Sequence, residues 1–374
     1  MSIPSPENQC ILCGRCLQVC PLFRAENREE LSPRSKGLFL RDLQEKDAPS
    51  RAGKKLAGLC LACGRCKEAC PQEIDIPEIV SKIKDSTPSW KKHIWKEINR
   101  GFPLLLPGLA RTKGSLPAPD KFRPYLQAIS RSRPRPLFKI HEDSKLKGQD
   151  FLIFPGCMAE SAWPWLTKSA AAVLENRGAN VLPERNWSCC GYSLMSAGLR
   201  ERAAKGLKKN ILEWEKAGRP KIAVFCATCY RGLLRAAGPA RKNAASEAFA
   251  QSIVYMPDLL AGLELSFLSP SPRHIFWHVP CHAPTKDRAP EPVHCLEKAG
   301  ATVRMETESC CGLGGSMLLE DSGLCSGVAE NFWAKAEKMK DTPVVTACSG
   351  CVLQLTATAP KDRRVMHWLE LFPV

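Results

Sequence analysis

Cys10, Cys13, Cys16 and Cys20 lie two, two and three residues apart in the run CILCGRCLQVCP, and Cys60, Cys63, Cys66 and Cys70 repeat that spacing in CLACGRCKEACP. Pro21 and Pro71 close the two runs. A thiolate at every third residue lets a loop that turns back on itself present successive sulfurs to different irons of one cluster, and thiolates are the ligands such clusters take. Zinc sites draw instead on separated pairs. A second pattern occupies the rest of the chain. Cys157, the adjacent pair Cys189 and Cys190, then Cys226 and Cys229 are separated by 31, 35 and 2 residues; Cys281, the pair Cys310 and Cys311, then Cys348 and Cys351 by 28, 36 and 2. A cube-shaped four-iron cluster uses four cysteines. Five thiols converging on one place imply a larger or more open cluster, with the adjacent pair bridging or clamping neighbouring irons. Gly191 after one pair, and Gly312, Gly314 and Gly315 after the other, let backbone approach inorganic sulfides closely.

Twenty cysteines would suit disulfides only in an oxidising compartment. The first residues, MSIPSPENQCILCGRC, show no basic stretch followed by an apolar one, so a cytoplasmic chain with reduced thiols is expected, free or peripheral at the inner face of the membrane. Hydrophobic residues make up 44% and charged residues 25%, an ordinary globular composition. No apolar run approaches the roughly 18 to 20 residues that span a bilayer, which excludes an integral membrane protein. A length of 374 residues exceeds one core and predicts two or three domains.

The paired runs have the spacing of bacterial two-cluster ferredoxins, in which the fourth cysteine of each run serves the other cluster. That rule puts Cys10, Cys13, Cys16 and Cys70 on one cubane and Cys60, Cys63, Cys66 and Cys20 on its neighbour. The insert between the runs is charged and of helical propensity, and Ile76, Ile79, Val80 and Ile83 form a helical stripe after the second run. A helical dicluster domain over residues 1–86 is therefore expected.

Residues 87–147 read as a basic, proline-rich linker. Positions 100–147 hold 11 Lys or Arg against 3 Asp or Glu, +8 of the formal +16. Interior prolines remove donors and clash with the preceding turn, so an extended path or short helices are expected. Its charge suits an acidic partner or anionic lipid headgroups, or merely keeps a connector solvated. No recognition motif accompanies the charge, which argues against nucleic-acid binding.

From residue 148 the chain repeats itself, as lobes 148–265 and 266–374. A strand DFLIF ends before Cys157, helices follow, and a strand KIAVF ends before Cys226; RHIFWH, EPVHCLEKAG, VAENFWAKAEKMKD and TPVV follow in the same order around Cys281 and Cys348. Strands alternating with helices imply parallel α/β lobes, with ligands at the carboxyl ends of the strands, where the cysteines fall. GLGG at 312–315 lacks the spacing of a phosphate-binding loop.

The CCG pairs and their CxxC partners resemble the cysteine-rich domains of the B and D subunits of heterodisulfide reductase, and of the glycolate oxidase and lactate-utilisation iron-sulfur subunits. The resemblance covers nearly the whole chain. It implies an α+β multidomain protein, an α-helical dicluster ferredoxin followed by two duplicated Rossmann-like α/β CCG lobes, with two [4Fe-4S] cubanes and one or two noncubane [4Fe-4S] clusters. It further implies an iron-sulfur oxidoreductase subunit passing electrons between a flavoprotein, an FAD-dependent 2-hydroxyacid dehydrogenase acting on glycolate or lactate, and a quinone, a membrane cytochrome or another carrier. The other function it implies is reduction of a disulfide at the noncubane clusters. Both five-cysteine sets are complete here, whereas glycolate oxidase subunits often lack some of them. No flavin or nicotinamide fingerprint is visible, so two-electron chemistry is expected in a partner.

His274, His278 and His282 flank Cys281 but, with five thiols already in the set, read as core or surface histidines, and His367 reads as structural. Cys295 and Cys325 fall outside the motifs and read as small buried apolar residues. Pro155 and Pro280 stiffen the turns that aim Cys157 and Cys281.

Overall fold

The computed structural model describes residues 10–37, 50–111, 119–237, 244–269, 273–284, 290–339 and 341–373. The rest of the insert between the ferredoxin runs, 38–49, lies outside them. The chain divides into two compact units, residues 1–99, 193–201 and 308–332 in the smaller, and 100–192, 202–307 and 333–374 in the larger. This division departs from the expected segments in three places: residues 193–201 after the first adjacent cysteine pair and 308–332 around the second group with the N-terminal region, and the expected linker is divided between residues 99 and 100.

The smaller unit is helical. Short helices Arg15–Val19 and Arg65–Glu68 carry the third cysteine of each run. Helix Ile76–Ser86 forms where its apolar stripe predicts, capped by Asp75, which accepts from the Glu78 amide at 2.9 Å. Ile76, Ile79, Val80 and Ile83 are buried on it together with Cys66 and Ala57.

The larger unit holds two four-stranded parallel sheets with equivalent strand orders. Strands are β1 (Phe138–Ile140), β2 (Asp150–Phe154), β3 (Asn180–Val181), β4 (Lys221–Val224), β5 (Ile253–Tyr255), β6 (Leu265–Phe267), β7 (His274–His278), β8 (Thr302–Glu306), β9 (Val344–Thr346) and β10 (Val365–His367). The first sheet runs β3-β2-β4-β5 and the second β8-β7-β9-β10. β2 aligns Leu152 with Ile222 of β4, and β7 aligns Phe276 with Val344 of β9. The central strands are apolar without alternation, as strands covered on both faces must be. β1 and β6 form a separate antiparallel pair, Phe138 opposite Phe267.

The linker is less extended than its prolines predict. A 22-residue helix, Trp90–Arg111, runs through Pro103 and Pro107. Each proline forfeits one backbone hydrogen bond, and their four-residue spacing puts both losses on one side of the helix, leaving the ladder elsewhere intact. Helix Arg123–Ile129 and β1 follow. Among the described residues no helix is long and apolar enough to cross a membrane.

Candidate metal centres

The two ferredoxin runs fold alike. Leu12 and Gly14 in one, Ala62 and Gly64 in the other, take positive φ angles of 57°, 75°, 54° and 79°. A left-handed conformation costs a non-glycine residue about 1 to 2 kcal/mol, and here it curls the loop so that successive thiols face inward. The Ala62 amide donates to Cys60 Sγ at 3.4 Å.

Cys20, Cys60, Cys63 and Cys66 line one recess, with Leu22, Lys36, Leu61 and Ile76. Cys10, Cys13, Cys16 and Cys70 line another, with Ile11, Leu12, Arg34 and Ile74. Each recess thus gathers three thiols of one run and the fourth of the other. Among the described residues no three His, Cys, Asp or Glu side chains close on a point as a single metal ion requires.

The two recesses differ in exposure. Cys10 and Cys13 are exposed, and beside them Ile11 and Leu12 are 60% and 61% exposed. Cys20 and Cys66 are buried. Burial pushes the thiols of Cys16, Cys20 and Cys66 above the ordinary range, and the buried Lys36 ammonium acts against it at Cys20. Such thiols keep their protons until a metal displaces them.

Cys310 and Cys311 belong to the same unit. Cys310 shares an apolar cluster with Cys20, Leu61, Met317, Leu324 and Cys325. The Arg65 guanidinium donates to the Ser309 carbonyl at 3.1 Å. Gly314, at φ 60°, leaves no room for a Cβ, which would stand 2.7 Å from Leu61 Cδ2. Cys325, which the sequence leaves outside every motif, lies by this pair, and burial, then Cys310, pushes its thiol up to about 12. Cys295 lies elsewhere and donates to the Leu260 carbonyl at 3.1 Å.

The larger unit gathers the first five-cysteine set. Cys157 follows β2 through Pro155 and Gly156, and Cys226 follows β4, with Cys229 in the first turn of helix Ala227–Ala237. Trp187 Nε1 donates to the Ile153 carbonyl of β2 at 3.0 Å, and buried Asn210 accepts from the Ser188 amide at 2.6 Å, which pins the loop bearing Cys189 and Cys190. Gly156, at φ 70°, stands where a Cβ would lie 2.7 Å from Cys229 Sγ. A Cβ on Gly232 would lie 3.0 Å from Cys190 Sγ. The thiol cradle therefore has glycine where side chains would fill it. Hydrogen bonds from Cys189 and Cys229 hold Cys190 well below the ordinary thiol range, and a bond from Cys229 does the same for Cys226. Burial pushes Cys157 up to about 12. Buried Cys190, Cys226 and Cys229, bonded to one another, with half-buried Cys189 bonded to Cys190 and half-buried Cys157 close by, form a thiol set that fits an iron-sulfur group.

Cys281, Cys348 and Cys351 also lie in the larger unit, Cys281 after β7 and the other two around the start of helix Ser349–Ala357. Cys348 Sγ is 4.0 Å from Cys226 Sγ, and the Ala227 amide donates to the Ala347 carbonyl at 2.8 Å, joining the two CxxC loops. Thr228 Oγ1 stands 3.1 Å from Cys348 Sγ and 2.9 Å from His282 Nδ1, two contacts the spacing of cysteines could not reveal. His274, by contrast, is at the exposed start of β7.

This geometry agrees with what the chain resembles. Residues 7–74 match the 4Fe-4S dicluster domain, and residues 151–233 and 275–356 each match the cysteine-rich CCG domain. The chain is a CCG-domain iron-sulfur protein, and these domains indicate 4Fe-4S clusters as its cofactors. Its relatives include the D subunit of the dihydromethanophenazine:CoB–CoM heterodisulfide reductase of Methanosarcina mazei, 23% identical over 374 aligned residues that cover 91% of this chain and 86% of the relative. Lactate utilization protein A of Shouchella clausii is 24% identical over 225 residues, 58% of this chain and 93% of that one.

Proposed function

We propose that the chain is an iron-sulfur electron-transfer subunit, taking electrons from a flavoprotein that oxidises a 2-hydroxy acid such as glycolate or lactate and delivering them to a quinone or another carrier. In this reading residues 1–86 are the dicluster domain, 87–147 a connector, and 148–265 and 266–374 two Rossmann-like CCG lobes. Cys10, Cys13, Cys16 and Cys70 hold one cubane, and Cys60, Cys63, Cys66 and Cys20 the other. Cys157, Cys189, Cys190, Cys226 and Cys229 hold one noncubane cluster; Cys281, Cys310, Cys311, Cys348 and Cys351 hold the second. A bound four-iron cluster supplies one-electron exchange at a potential set by charge, hydrogen bonds and exposure around its sulfurs.

The observation that carries the reading is the graded series of thiols in the smaller unit. Cys10 and Cys13 are open to solvent beside exposed Ile11 and Leu12, an apolar surface for a redox partner. Cys20 is buried next, in the same apolar cluster as Cys310. Leu61 lines the buried recess and lies against Gly314. Lys36 and Arg34 place one cation in each recess, opposing the negative charge that four thiolates bring. The test is anaerobic purification of the chain with its partner. A flavin-bearing dehydrogenase should accompany it, and a double Ile11→Asn, Leu12→Asn variant, compared with wild type at equal iron content, should bind that partner less tightly. A complex indifferent to both substitutions, or without flavin, would remove the reading.

Completeness of both five-thiol sets, with the heterodisulfide reductase relative matching 91% of the chain, favours one other function, reduction of a disulfide at the CCG centres. Adding a small organic disulfide to the reduced protein would then perturb the EPR signals of the CCG sites alone; a pure conduit would leave their line shapes unchanged.

A further inference from the structure

We infer that Thr228 and His282 form a one-way hydrogen-bond relay onto the sulfur of Cys348, a positioning device by which the first lobe raises the reduction potential of the centre that Cys348 serves. The inference rests on the reading of Cys348 as an iron ligand. Thr228 Oγ1 is 3.1 Å from Cys348 Sγ and 2.9 Å from His282 Nδ1. A hydroxyl has one proton to give, and a metal-bound thiolate can only accept. The Thr228 proton therefore goes to sulfur, and the Thr228 oxygen accepts from Nδ1–H, which sets the tautomer of His282. The imidazole is held by its surroundings, since it is 6% exposed and packs against the Tyr192 ring, centroids 4.3 Å apart and planes tilted by 52°. The Ala227–Ala347 backbone bond, at 2.8 Å, keeps the two loops in register. Donors to ligand sulfur stabilise the more electron-rich state of a cluster and so raise its potential.

The relay runs in one direction because the second copy lacks both of its members. Cys226-Ala227-Thr228-Cys229 corresponds to Cys348-Ser349-Gly350-Cys351, so Gly350 stands where Thr228 does. His282 follows Cys281, whereas Met158 follows Cys157. Neither Gly350 nor Met158 has a side chain that can return a proton to a sulfur of the first set, where Cys226 takes a backbone hydrogen bond from Ser349. Two centres built from one motif are thereby made unequal.

Redox titration of the anaerobically prepared holoprotein, followed by EPR, tests this. Thr228→Val keeps the shape and removes the hydroxyl. It should move the midpoint of one CCG signal to more negative potential, lowering the reduced fraction at a fixed applied potential about tenfold, or about 59 mV for a one-electron couple, with the dicluster signals unmoved. Thr228→Ser should restore the wild-type midpoint. His282→Phe, which keeps a ring against Tyr192, should give a smaller shift of the same sign. Should Thr228→Val lose iron, retention by Thr228→Ser supports the relay and equal loss by both overturns it. A fully loaded Thr228→Val protein with an unmoved midpoint, or a Thr228→Ser shift as large as that of Val, overturns the relay alone. Wild-type protein with iron only in the dicluster domain overturns the ligand reading, and the relay with it.

Discussion

Cys189–Cys190 and Cys310–Cys311 share a sequence pattern and differ in what holds them. The first pair is fastened to its own sheet, by Trp187 on the Ile153 carbonyl of β2 and by Asn210 on Ser188. The second sits among Cys20, Leu61, Met317 and Cys325, with Arg65 on the Ser309 carbonyl. The ends of the fourth strands diverge likewise: Tyr255 closes β5 where His367 closes β10, and Asp258 stands where Glu370 pairs with Arg131 at 2.6 Å. Duplication repeats ligand spacing, which the chain itself encodes. It does not repeat the neighbours, and neighbours set the properties of a cluster. The two copies are thus free to take different redox roles.

The largest expected effect separates the two sets. With all four sites filled, iron should be about 16 per chain, and Cys189→Ala and Cys310→Ala should each remove about four of these and a different CCG signal. If both substitutions abolish the same signal, the sets form one centre and the comparison collapses. Gly156→Ala comes next. It places a methyl 2.7 Å from Cys229 Sγ at φ 70°, so the first set should lose iron while the second keeps it, and the urea midpoint should fall by an amount equivalent to about 2 kcal/mol. A fully loaded, equally stable variant would mean that the cradle is not closely fitted. His367 gives the smallest effect. Burial holds its imidazole at about 3, against an ordinary 6.5. The unfolded chain gains a proton below pH 6.5 that the folded chain refuses until about pH 3, so stability from this group is complete above 6.5 and is lost on acidification through that window. Urea unfolding should show about 2 kcal/mol lost from this source between pH 7.5 and pH 5, and His367→Asn should remove that part of the slope. An unchanged slope would place the titration elsewhere.

Local features were legible in the sequence and tertiary ones were not. The stripe on helix Ile76–Ser86, strands β2, β4, β7 and β9, and the repeated thiol spacing all follow from near neighbours in the chain. β5 and β10 escaped notice because three-residue strands carry too little pattern. Helix Trp90–Arg111 escaped because proline propensity argues against it, and tertiary context overrides propensity. The position of Cys325 beside the second pair depends on a contact, and a lone cysteine on a helix gives no sign of it. Thr228 and His282 are of this kind too, two ordinary residues 54 positions apart that meet only when the CxxC loops do.

The unequal burial of the dicluster thiols bears on how the protein ages in air. Sulfur open to solvent is the first to be oxidised, and oxidation follows thiolate character and access. Damage should therefore enter at Cys10 and Cys13 and reach Cys20 and Cys66 late, so a preparation handled briefly in oxygen should lose its outermost centre while the inner ones survive. A protein of this build fails first at its exposed thiols, and only afterwards in its interior.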